Sequence, residues 1–153
     1  MTMPPYSQDP GSAQPRPTFN AGRLWTGGVA TAAVAALVAV VGVLIARGLF
    51  DVPVLAPTEE GTLGDASTAR LAGLAAVAAL LATGLMHLLL LSTPRPIQFF
   101  TWIMVLVTLI AAILPFLTDA ETSTKVATAA IDLSIGATIG SLVSSVGRSA
   151  AAR

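Results

Sequence analysis

Four long apolar runs divide the chain, and polar or proline-containing stretches separate them. A helix needs about 20 apolar residues to cross a hydrocarbon core about 30 Å thick. The runs at about residues 24–46, 69–91, 97–117 and 126–147 meet that length. They show neither the alternation of a half-buried strand nor the narrow apolar stripe of a soluble helix, so they predict helices that are apolar on every side. The expected fold is therefore all-α, a four-transmembrane-helix bundle over residues 21–148, with tails at 1–20 and 149–153.

The polar stretches punctuate these helices. Residues 1–20 carry Pro4, Pro5, Pro10, Pro15 and Pro17 among Ser, Gln and Asp, too little apolar surface to offset chain entropy, so a disordered tail is predicted. Arg23 and Arg47 bracket the first run. It exceeds the apolar region of about 7–15 residues in a signal peptide and lacks a small-x-small cleavage site, which predicts a retained helix. Pro53, Pro57, Gly61 and Gly64 keep the longest connection, 47–68, from being helical, and Asp65 or Ser67 is the expected N-cap of the second helix. The short turn Ser92-Thr93-Pro94-Arg95-Pro96 makes helices two and three antiparallel neighbours. Pro115 is placed to kink or end helix three. Thr118 and Glu121 have the spacing of a capping box, which would start helix four above the membrane surface. No internal repeat is evident.

Composition supports a membrane protein and removes several functions. The chain is 54% hydrophobic and only 10% charged, with a mean hydropathy of +0.80. Eight basic and eight acidic residues cannot clothe a soluble domain, and the resulting net charge of zero offers no basic surface for nucleic acid. There is no cysteine and one histidine, so neither a metal site nor a cofactor is expected.

Charge also predicts orientation. With four crossings both termini share a side. The termini and the central turn hold Arg16, Arg23, Arg95, Arg148 and Arg153, whereas the other two loops hold Arg47, Arg70 and Lys125. Five basic residues against three place the N- and C-termini in the cytoplasm. Asp51, Glu59, Glu60, Asp65, Asp119 and Glu121 lie on the opposite side, with no calcium-loop spacing among them. Trp25, Phe99, Phe100 and Trp102 would then form an aromatic belt at the cytoplasmic interface.

Asp132 is the most informative residue. It lies about six residues, or roughly 10 Å, inside the outer end of helix four. An ionised carboxylate at such depth costs at least about 2.5–3.5 kcal/mol, so it is expected to face protein or water. Thr128, Asp132, Gly136, Gly140 and Ser144 recur every four residues and form one ridge. Gly136 and Gly140 make a GxxxG pair, which lets another helix approach closely. On that ridge Asp132 either locks the bundle through a hydrogen bond or binds a proton or cation in a pathway.

His87 is the second candidate ion- or proton-binding residue, in register with Ala75, Ala79 and Thr83. It lies about 6 Å from the cytoplasmic end of helix two, leaving roughly 15 Å of depth between it and Asp132, so the two are not expected to touch. Its alternative role is a bond to a neighbouring helix or contact with the interface. No phosphate-cradling glycine loop, nucleophile elbow or paired catalytic carboxylates occur, and no enzyme is expected.

The stretches RGLFDVPVLAP (47–57), GLMHLLLLSTPRPIQFFTWI (84–103) and ILPFL (113–117), with the four-helix layout, resemble a family of small actinobacterial membrane proteins of unknown function. The resemblance covers about residues 22–148. It implies a four-helix protein of the bacterial plasma membrane and assigns no ligand or catalytic residue. Taken together, the reading is a non-enzymatic scaffold, accessory subunit or small homo-oligomer in the lipid bilayer, partnered through helix four. The alternative is a small proton- or cation-coupled transporter using Asp132, its pathway lined by Thr128, Ser134 and Thr138.

Overall fold

The structure is a computed structural model and describes residues 20–51, 54 and 65–151, with side chains described from Thr68 onward in the last segment. The expected disordered tail lies outside the described residues, as does most of the 47–68 connection that lies between the first two helices. Four helices follow in order: α1 (Ala21–Gly48), α2 (Asp65–Ser92), α3 (Pro96–Ile113) and α4 (Thr122–Ala151). A short 3₁₀ helix, Leu114–Leu117, extends α3. No strand occurs among the described residues, and all four helices are long and apolar enough to cross a membrane. The protein is thus an all-α bundle of four membrane-spanning length helices.

Local chemistry sets the helix ends. Asn20 begins α1, its side-chain oxygen accepting from the Arg23 N–H at 3.0 Å. The Asn20 N–H donates to the Ala150 carbonyl at 3.3 Å, which ties the start of α1 to the end of α4. After α1 the chain turns through Asp51 at φ 52°, a left-handed conformation that Asp tolerates better than most residues. Pro96 occupies the first position of α3, where its missing N–H leaves no bond unmade. At the other end the α-helix stops at Ile113 and the chain tightens into the 3₁₀ turn carrying Pro115.

The capping box expected at Thr118 and Glu121 does not form. The Thr118 hydroxyl and N–H both turn back to the Pro115 carbonyl, at 2.7 and 3.3 Å. Thr118 therefore closes the 3₁₀ turn, and α4 begins later, at Thr122. The reason is local: the 3₁₀ turn leaves the Pro115 carbonyl within reach of both Thr118 donors.

Small residues let the helices approach. Ala35 and Ala39 of α1 and Ala79 of α2 are fully buried, and Gly28 of α1 receives the Thr83 side chain of α2. Lipid is as apolar as a side chain, so close packing of backbones and not exclusion from water holds such helices together. α4 is central and touches all three other helices, while α1 and α3 do not meet. Ile131 packs over Gly42 of α1, Val146 over Gly27 of α1, and Met86 of α2 over Gly147.

Helices α2 and α3 share a tight turn, yet α3 leans mainly on α4. Phe100, fully buried, fills the space beside the turn. It departs from the expected aromatic belt, in which only Trp25, Phe99 and Trp102 remain exposed. Beyond Phe100 a cleft opens between the two helices.

Candidate functional site

The gap between α2 and α3, closed on its inner side by α4, is a cleft of about 720 Å³. That is within the range of small-molecule sites, about 300–1,000 Å³. Thr128, Ile135 and Ile139 of α4 form a buried floor, while Leu74, Ala78 and Leu81 of α2, Val107 of α3 and Leu114 of the 3₁₀ turn are exposed at the edges. The mouth therefore opens sideways between α2 and α3, toward the surroundings of the bundle. Two sequence features make this space. Ala75, Ala78 and Ala82 give α2 a wall with little side-chain volume, and Pro115 lines the end where α3 tightens.

Asp132 lies in this cleft, partly buried. Among the described residues its carboxyl makes no hydrogen bond or ion pair. The nearby hydroxyls act mainly within their own segments: Thr128 donates to the Thr124 carbonyl at 2.8 Å and Thr118 to Pro115. Thr108 of α3 also lines the cleft, its side chain pressed against Gly136. Among the described residues no Lys or Arg belongs to the lining, and Asp132 is its single ionisable group.

The ridge of α4 divides its work. Thr128, Asp132 and Gly136 line the cleft; Gly136 also meets Thr108, and a Cβ added at Gly140 would lie 3.6 Å from the Met104 Cβ, both on α3 of the same chain. Ser144 is buried one turn further on, beyond the cleft. Ser134 and Thr138, expected to line a pathway with Asp132, do not line the cleft. Ser134 is two residues from Asp132, about 200° around the helix, so it faces outward, its hydroxyl bonded to the Ala130 carbonyl at 2.8 Å. Thr138 bonds in turn to the Ser134 carbonyl at 2.7 Å.

His87 lies elsewhere. Its ring centroid is 6.3 Å from that of Trp25 near the start of α1, with the planes tilted by 52°, and its Nδ1 is buried. Leu85 lines the cleft and His87, two residues on, does not. The structure thus keeps His87 and Asp132 apart. Among the described residues, no three His, Cys, Asp or Glu side chains converge on one point.

The cleft was not legible in the sequence, because its walls are ordinary Leu, Ala, Val and Ile positions. Pro115 and the alanine-rich face of α2 were its only local signals. No curated protein and no solved structure matches the chain. Residues 19–149, nearly the whole bundle, match a family model described as a family of unknown function (DUF6069), and the chain belongs to that family.

Proposed function

We propose that this is a non-enzymatic, multi-pass protein of a bacterial plasma membrane that acts through helix packing, as a homo-oligomer assembled on the outward face of α4. The reading extends to a scaffold or accessory subunit using the same face. One observation carries it. The exposed positions of α1, α2 and α3 are rich in Leu, Val, Ile and Phe, whereas in α4 the large exposed hydrophobics are Val126 and Leu133. The rest of that outward face is small: Ala130, Ser134, Ala137, Ser141 and Ser145 are all exposed. Their spacing of three and four residues puts them on one stripe, opposite the ridge that receives α3. Small stripes of this kind allow two helix backbones to pack closely in a bilayer.

The absence of cysteine makes a direct test available. Single Cys replacements at Ser134, Ser141 and Ser145, oxidised in native membranes, are expected to yield disulfide-linked dimers. Val105→Cys, exposed on α3, serves as the control and is expected to remain monomeric. Dimers from Val105→Cys with none from the α4 positions would overturn this reading.

A second reading, proton- or cation-coupled transport, draws support from Asp132 lining the cleft. It requires flux in proteoliposomes that Asp132→Asn abolishes; an unchanged flux in that variant would reject it.

A further inference from the structure

We infer that the α2–α3–α4 cleft is a binding site for an amphiphilic amine drawn from the bilayer, its protonated nitrogen at Asp132 and its apolar body along α2 and α3. The site is separate from the outward face of α4, so it stands whether or not the chain forms an oligomer.

Shape, access and charge each narrow the occupant. The volume, about 720 Å³, suits a drug-sized molecule, and the mouth between α2 and α3 admits one sideways from the lipid. The walls are Leu, Ala, Val, Ile and Met side chains, which an alkyl or aryl body fills without unmet polar groups. Against them stands one carboxyl with no hydrogen bond or ion pair among the described residues. A neutral acyl chain would leave that group unmatched. An anionic headgroup finds no Lys or Arg among the described lining residues and would be repelled by an ionised Asp132. A bare metal cation needs several oxygen ligands, more than one carboxyl and a few hydroxyls supply. A protonated amine has the one feature each of these lacks: a positive charge with an N–H donor on an apolar body, forming a charge-assisted hydrogen bond in a low-dielectric site.

The floor is built to hold that geometry. Thr128, one turn before Asp132, is buried, and Gly136, one turn after it, is held against Thr108 of α3. The α4 segment carrying the carboxyl is therefore clamped on both sides, which presents Asp132 to the cleft without a mobile loop.

The test uses the full chain in phosphatidylcholine nanodiscs, with empty discs setting the partition background. The probes are dibucaine, a lipophilic tertiary amine, and a neutral analogue in which the amine nitrogen is replaced by carbon. The wild type is expected to bind dibucaine above background and at least about tenfold more tightly than the neutral analogue. Asp132→Asn is expected to remove that preference, while Asp132→Glu keeps it. Ala78→Trp, which fills the mouth and leaves the carboxyl in place, is expected to abolish binding of both probes. Equal affinity of the wild type for amine and analogue, or no binding above empty discs, would overturn the inference. So would a monodisperse Asp132→Asn that retains full preference for the amine. Because the comparison of probes is made on the wild type, a variant that fails to fold does not decide the result.

Discussion

Gly136 of α4 lies directly beneath the Thr108 side chain of α3. A Cβ built at Gly136 would overlap the Thr108 side chain, including the Thr108 Cβ at 2.8 Å, which no change of rotamer can move away. Gly136→Ala is therefore expected to destabilise the bundle by about 1–3 kcal/mol, the usual range for overpacking a fitted interior. Thermal unfolding in detergent measures this, and Thr108→Ala added to the same chain should restore part of the loss. Gly84→Ala is the control, since nothing lies within 4 Å of the added methyl, and it should leave the melting temperature unchanged or slightly raised. Gly147 is intermediate. A Cβ added there would lie 2.9–3.2 Å from atoms of the flexible Met86 side chain, which can move aside. The four-residue register of the ridge was visible in the sequence. Which of its members meets a rigid neighbour and which a flexible one was not, because that depends on the facing helix.

Helix α3 is the element whose placement governs the cleft. Its turn with α2 is short, but the pairing it makes along its length is with α4. The glycines explain the choice: Gly136 and Gly140 let the α3 backbone come close, whereas the described α2 residues that line the gap include no glycine. This seam predicts a cross-link. The Cβ position at Gly140 lies 3.6 Å from that of Met104, inside the range of about 3.5–4.5 Å for a disulfide. Met104→Cys with Gly140→Cys should form an intramolecular disulfide on oxidation, read as a mobility shift reversed by reductant. Failure of that pair, with efficient linkage of α3 to α2 across the cleft, would show a different packing. The short turn predicts α2 and α3 as antiparallel neighbours, and the two do touch. Connection length constrains only the first turns, and packing decides the rest.

At the scale of the whole molecule, orientation rests on charge. Arg23 and Arg95 lie at the end of the bundle where both termini emerge, and Arg148 belongs to the last turn of α4 at that same end. Arg47, Arg70 and Lys125 lie at the other end, among most of the acids. The positive-inside rule predicts cytoplasmic termini, an orientation that would set the cleft, with Asp132, toward the outer half of the bilayer. A reporter fused after Arg153 should be active only if it functions in the cytoplasm; activity of an external reporter there would reverse the topology.

The number and limits of the helices were determined by the sequence alone, since length and hydropathy act locally and lipid asks only that backbone polar groups be satisfied within each span. Its four runs reappear as α1 to α4 with their ends moved by a few residues. The inward ridge carrying Asp132 was legible for a related reason: a charge and two glycines at helical spacing mark a face that cannot simply meet lipid. Only the tertiary structure decided that α3 takes Gly136 and Gly140, that Thr118 closes a 3₁₀ turn, that His87 lies beside Trp25, and that a cleft opens at Asp132. In water, burial follows hydrophobicity and is partly written in the residue pattern. In a bilayer the outside is as apolar as the inside, so which apolar face is buried is settled by the shapes of helices far apart in the chain.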